Sequence, residues 1–298
     1  MNIGRFFKNL YSLFKVDLQK DHKKTQTSVS LDYLNEILDN YKYEVIASIG
    51  KMCPPNIKTI DECVNKINKE KTSLCRFGDG ELNLCIGQNI PFQKASQKLS
   101  ARLLEVLSSQ KPEIMIAIPE SYYSDRENTN KFNRHFSRNF SNKYDEIVRK
   151  HTSPEAVFYP AEMTLAYTKY IDYDFNAYFD KMISIWKNKD VTIICGKSVF
   201  NEIKHNIFDF AKSVEYQYAP ASDAFEHYEE ILEQARHIDK NRLVIIILGP
   251  TATILAYDLA LNGYQALDFG HIAKAYDWYL KEAKVSKLET AVKFFAPD

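Results

Sequence analysis

Two acids stand two positions apart in the run Arg76-Phe77-Gly78-Asp79-Gly80-Glu81. Carboxylates so placed on a tight loop can aim at one point, directly or through water. That suits Mg²⁺ or Mn²⁺, hard cations that take oxygen ligands and borrow the remainder from phosphates and water. Gly78 and Gly80 let a bulky ligand approach the main chain. Arg76 has two readings, a partner for a phosphate or a counter-charge for the two acids. The spacing alone also fits a solvated Gly-Asp-Gly turn, with Glu81 a first-turn acid favoured by the helix dipole.

Three further runs combine small, hydroxyl or titratable residues at places where a strand gives way to a loop. Gly249-Pro250-Thr251 follows an entirely apolar stretch and opens a helical pattern closed by Gly263. Such a helix start presents free N–H groups and suits a phosphate, although a well-capped helix reads the same way. Gly196-Lys197-Ser198 could cradle a phosphate or a ribose, but the GxxxxGK[ST] spacing of a P-loop is absent. Asp268-Phe269-Gly270-His271 places an acid and a histidine at another such end. His271 reads as base, phosphate partner or structural hydrogen-bonder, and Asp268 and His271 are the two candidates for a general base.

These loops need elements to hold them. Short apolar runs at 73–77, 114–118, 156–159, 191–195, 214–218, 243–248 and 265–268 alternate with helical stretches. The alternation predicts an α/β fold, a Rossmann-like and mostly parallel sheet with helices on both faces. In such sheets ligands bind beyond the carboxyl ends of the strands, where the four runs lie. Residues 31–49 and 58–70 read as helices broken at Pro54-Pro55.

Charge and composition narrow the function classes. Lys+Arg and Asp+Glu both number 39, so no global field draws nucleic acid, and no basic face with interleaved aromatics replaces it. The five cysteines lack CxxC spacing and read as reduced, buried thiols of a cytoplasmic protein. No run of about 18 apolar residues predicts a transmembrane helix, and Arg5, Lys8 and Lys15 interrupt any signal-peptide core.

Residues 1–50 read as a helical N-terminal extension and 51–298 as the main domain. In residues 2–16, Ile3, Phe6, Phe7, Leu10, Leu13 and Phe14 fall at helical spacing. Six basic residues against two acidic ones in the first 24 give a local excess of four positive charges. This first helix packs on the domain or a second subunit, or lies as a peripheral contact at the inner face of the membrane.

Taken together, RFGDGE, LGPTATILAYDL and DFGHI…YDW resemble the glycosyltransferases of the GT-D fold, across roughly residues 57–283. The resemblance implies a metal-dependent transferase using a nucleotide sugar, commonly UDP-glucose, with an Asp-X-Glu metal motif on Asp79 and Glu81. It also implies that the Gly249–Thr251 turn and the 220–225 stretch, PASDAF with Asp223, lie beside the donor. Members of that family glycosylate bacterial surface adhesins, so the acceptor expected is a glycan, a glycoprotein or a lipid-linked intermediate of surface polysaccharide. One departure stands out. Ala273-Lys274-Ala275 occupies a segment where the family carries acids. The rival readings are a metal-dependent phosphohydrolase or nucleotidyltransferase using the same acids, and a catalytically silent module that binds nucleotide sugar.

Overall fold

The computed structural model describes residues 54–123, 128–130, 132–133, 144–284 and 288–295, together with Leu38. The chain divides into two units, Met1–Asp39 and Asn40–Asp298, and the second carries the fold described here. The N-terminal extension, its amphipathic stripe and Cys53 lie outside the described residues.

The elements run in the order β1 (Asn56–Ile57), α1 (Ile60–Glu70), β2 (Ser73–Arg76), α2 (Asp79–Cys85), α3 (Gln97–Leu107), β3 (Ile114–Ile118), α4 (144–151), β4 (Val157–Pro160), α5 (Ala166–Lys169), α6 (Phe175–Ile183), β5 (Asp190–Gly196), β6 (Ser213–Ala219), α7 (Tyr228–Ala235), β7 (Leu243–Ile247), α8 (Pro250–Leu261), β8 (Ala266–Asp268), α9 (Ile272–Leu280) and α10 (Leu288–Phe295). The eight strands form one sheet in the order β1-β4-β3-β2-β8-β7-β5-β6. Every pairing is parallel. All seven expected strands are present, shifted by a residue or two. β1 is the addition, two residues long and therefore without a readable alternation.

The period-2 alternation of each strand divides the core into two halves. Ile114, Ile116 and Ile118 of β3 point to one face with Val244 and Ile246 of β7, where α2, α3, α7 and α8 cover them. Met115 and Ala117 point to the other with Leu243, Ile245 and Leu267, under α1, α6 and α9. A sheet buried on both sides needs apolar residues at consecutive positions, which is why LVIIIL carries no polar break. α8 is buried almost all round between sheet and neighbouring helices, so its apolar residues form no stripe.

Local signals set the helix starts. Thr59 and Glu62 form a reciprocal capping box on α1, with the Thr59 N–H donating to Glu62 Oε2 at 2.8 Å. Ser96 caps α3 and Asp174 caps α6 through single side-chain oxygens. Cys63, Cys75, Cys85 and Cys195 are buried free thiols, and burial pushes the Cys85 and Cys195 thiols up to about 12. No described helix is long and apolar enough to cross a membrane.

Candidate active site

Because all strands run the same way, the loops after β2, β7 and β8 emerge at one edge of the sheet, and those strands are adjacent. Arg76 ties their ends together. Its Nε donates to the Asp268 carbonyl at 3.0 Å, and its Nη1 donates to the Ala161 carbonyl at 3.1 Å and to Thr164 Oγ1 at 2.6 Å. Its Nη2 pairs with Asp268 Oδ1 at 3.4 Å, and its own N–H donates to Asp268 Oδ2 at 3.3 Å. From α8, the Thr253 hydroxyl donates to the Arg76 carbonyl at 2.9 Å, with Asp268 Oδ2 3.2 Å away. The guanidinium is only 12% exposed and the Asp268 side chain 4%. With its donors committed to four protein oxygens, Arg76 acts from beneath the site as an anchor of β2, β4 and β8.

This packing explains Gly270. Its φ is +39°, and a Cβ there would lie 2.1 Å from Arg76 Nη2. The guanidinium passes directly beneath the turn, so only glycine fits. Asp268 is likewise enclosed. Burial raises its carboxyl pKa, while the Arg76 charge and the hydrogen bonds from Arg76 and Thr253 oppose that rise. His271 is partly buried with its ring 5.7 Å from that of Phe294. Burial chiefly, and then the charges of Arg76 and Lys274, lower it to about 3, so the imidazole is neutral near neutral pH.

Asp79 and Glu81 begin α2 immediately beyond β2. Glu81 turns back on its own helix, and its Oε2 accepts the Gly78 N–H at 2.7 Å. Burial first and the Asp268 charge second raise its carboxyl to about 7. Asp79 is open to solvent on one side, while the protein crowding its other side raises its pKa and the Lys169 charge opposes the rise. Both shifts favour the protonated acids, so the surroundings offset the charge of the ionised pair incompletely. Among the described residues no group of three or more His, Cys, Asp or Glu side chains could hold a metal. A cation at this turn would take Asp79 and Glu81 from the protein and fill its sphere with phosphate and water oxygens, the habit of Mg²⁺ and Mn²⁺. The donor set fits such an ion.

At the neighbouring end of β7, Gly249 has φ +51° and lies against the Phe92 ring, which would stand 2.9 Å from a Cβ. Pro250 takes the first position of α8. The Thr251 hydroxyl is fully buried and lacks a hydrogen-bond partner among the described residues. The Gly196-Lys197-Ser198 turn ends β5, two strands from β8. Gly196 closes on Ala221, 2.9 Å from the place of a Cβ, whereas Lys197 is exposed. Asp223 sits in the loop after β6 and accepts the Lys94 N–H at 2.7 Å.

Sequence reading missed Glu162 and Lys169. Glu162 follows β4, is fully buried, and accepts from the Glu120 and Ser121 N–H groups at 3.0 and 3.1 Å and from the Ser121 hydroxyl at 2.7 Å. Lys169 stands 3.5 Å from it. Burial would raise the Glu162 carboxyl, but the Lys169 charge and these hydrogen bonds hold it below the usual range. An acid just past a predicted strand was the available signal for Glu162. Lys169 had none. The acid of YDW, Asp277, is structural: buried, it accepts the Lys204 and His205 N–H groups, each at 3.0 Å, and pairs with Lys281.

Comparison with known proteins gives the family. Residues 74–296 match the family described as glycosyltransferase GT-D fold. The chain is 31% identical over 242 residues to the glycosyltransferase GlyD of Streptococcus pneumoniae, covering 80% of this chain and 29% of that protein. It is 33% identical over 258 residues to a probable glycosyl transferase, Gly, of Streptococcus gordonii, covering 82% of this chain and 36% of the relative. The chain therefore spans about a third of the length of the curated relatives it matches. A solved domain described as having a distinct glycosyltransferase fold superposes with a TM-score of 0.74 at 31% identity, covering 80% of this chain and 86% of that one. A glycosyltransferase from Streptococcus sanguinis superposes at 0.72 with 30% identity, covering 82% and 93%. The match to the family extends over most of the chain and spans every loop of the site, from Asp79 to His271. The chain belongs to the GT-D fold family of glycosyltransferases.

Proposed function

We propose that this chain transfers a hexose, glucose from UDP-glucose in the first instance, to a glycan, glycoprotein or lipid-linked acceptor of bacterial surface polysaccharide or adhesin glycosylation. The observation that carries the reading is the Arg76–Asp268–Thr253 network, which brings the Asp79/Glu81 turn, the α8 start and the Gly270-His271 turn to one edge of the sheet. Asp79 and Glu81 would hold Mn²⁺ or Mg²⁺. Bound there, the ion would offset the charge that builds on the nucleoside diphosphate as the glycosidic bond breaks.

The protein's own groups supply the rest. At the start of α8, Pro250 has no N–H and the Ala252 N–H donates to the Gly249 carbonyl at 2.9 Å, so the turn would offer a diphosphate the Thr251 N–H and the favourable end of the α8 dipole. Arg76 keeps Asp268 paired and the strand ends in register. Of the two candidate bases, His271 is lowered to about 3 and is therefore a weak base toward an acceptor hydroxyl, and Asp268 is paired with Arg76. Ala273-Lys274-Ala275 offers no carboxylate for that step.

The test is nucleoside diphosphate release from a panel of nucleotide sugars, in chelator and with Mn²⁺ restored. Wild type is expected to need the metal, and Asp79→Ala and Glu81→Ala to lose at least about a hundredfold in kcat, the scale set by removing a group that stabilises transition-state charge. Full activity in both variants would remove the role given to these acids. Release of inorganic phosphate or pyrophosphate would identify a hydrolase or nucleotidyltransferase, and binding without turnover a silent module.

A further inference from the structure

The turn after α2 and the turn after β6 are separated by more than a hundred residues, yet they are fastened together at one point. Residues 90–93 close on themselves through an antiparallel bridge between Ile90 and Gln93. The Asp223 N–H donates to the Phe92 carbonyl at 2.9 Å. The Lys94 N–H donates to Asp223 Oδ1 at 2.7 Å, and Lys94 Nζ stands 3.5 Å from Oδ2. The Phe225 N–H donates to Gln93 Oε1 at 3.2 Å. Asp223 adopts φ +49°, a left-handed conformation that aspartate tolerates better than most side chains. Phe92, held in this way, rests on Gly249 at the first turn of α8.

We infer that Asp223 is a positioning residue of the transfer reaction, acting through the 90–94 turn and Phe92 on the α8 start rather than by touching the donor. Both of its carboxylate oxygens face Lys94, one on the backbone N–H and one beside the ammonium, which leaves its charge committed within the protein. A loop that carries a phosphate-binding helix start must keep its N–H groups fixed, and here Phe92 occupies the space above Gly249 that would otherwise let the turn move. The role for the α8 start rests on the donor reading above. The fastening itself does not.

The experiment uses the full chain and four variants: Asp223→Asn, Asp223→Ala, Phe92→Ala and the Phe92→Ala/Asp223→Ala pair. Steady-state kinetics with UDP-glucose and Mn²⁺ are read beside tryptic cleavage after Lys94, whose side chain is 73% exposed. Asp223→Ala is expected to speed cleavage at Lys94 and to raise KM about tenfold with little change in kcat, the scale of losing one charge-assisted hydrogen bond. Asp223→Asn keeps an acceptor for the Lys94 N–H and should stay within about threefold of wild type. Phe92→Ala should match Asp223→Ala in KM, and the double variant should be no worse than either, because both act on one unit. Asp223→Asn as damaging as Asp223→Ala, or fully additive losses in the double variant, would overturn the proposal in favour of direct donor contact. Unchanged cleavage at Lys94 in Asp223→Ala would overturn the fastening. If the wild type turns over no UDP-glucose, the donor reading falls while the cleavage result still decides whether Asp223 secures the turn.

Discussion

At the residue scale the site depends on one arginine with four of its five side-chain N–H groups engaged and one glycine with no room. Gly270→Ala puts a methyl group where Arg76 Nη2 lies and asks an L side chain to hold φ +39°. Gly263 supplies the control, since its φ is +83° but the nearest atom to an added Cβ is Lys240 Nζ at 3.7 Å. Backbone strain alone is worth about 1 kcal/mol, and displacing a pinned, partly buried guanidinium adds to it. Gly263→Ala should therefore cost about 1 kcal/mol by denaturant titration, and Gly270→Ala about 2–3 kcal/mol together with most of the activity. Equal losses in the two would show that Arg76 yields freely and is no anchor.

At the element scale, α8 is joined to β2 and β8 by a hydroxyl as well as by its apolar faces. Thr253→Val keeps the shape and removes the proton given to the Arg76 carbonyl, leaving that buried acceptor short of a partner. The expected loss is about 1–3 kcal/mol in stability, with a fall in transferase activity that Thr253→Ser restores in part. The strands were legible because a doubly covered parallel sheet demands unbroken apolar runs, and LVIIIL and IMIAI contain nothing else. The Asp79/Glu81, Gly249 and Asp268 turns were legible for a related reason, since each directly follows such a run. What the sequence could not display is which strand ends become neighbours. The order β2-β8-β7 joins residues nearly two hundred positions apart, so the engagement of Arg76 with Asp268 and Thr164 had no local signature. The same holds for the Asp223–Lys94 contact, which joins two loops more than a hundred residues apart.

For the whole molecule, two groups in this one site impose opposite pH slopes on folding. Glu81 rises from 4.5 to about 7 on folding, so the folded state binds the extra proton, and the stability this provides is present below 4.5 and lost as pH rises through 7. His271 falls from 6.5 to about 3, so here the unfolded state binds the extra proton and stability is lost as pH falls below 6.5. Each slope is at most about 1.4 kcal/mol per pH unit, and across the window between 4.5 and 6.5 they oppose one another. In the metal-free wild type the contributions of these two groups should consequently cancel there. Glu81→Gln should gain stability as pH rises from 5 to 6.5, and His271→Gln should lose it over the same interval. A cation held as proposed would have to displace the Glu81 proton, so Mn²⁺ affinity should fall about tenfold between pH 8 and pH 6, with proton release visible as a buffer-dependent heat in calorimetry. The rise in melting temperature at saturating Mn²⁺ would then be largest above pH 7, where the metal-free protein is weakest at this turn. An affinity that stays constant from pH 6 to pH 8 would mean that Glu81 is not the group the metal displaces, and would leave Asp79 as the sole carboxylate at the turn able to hold it.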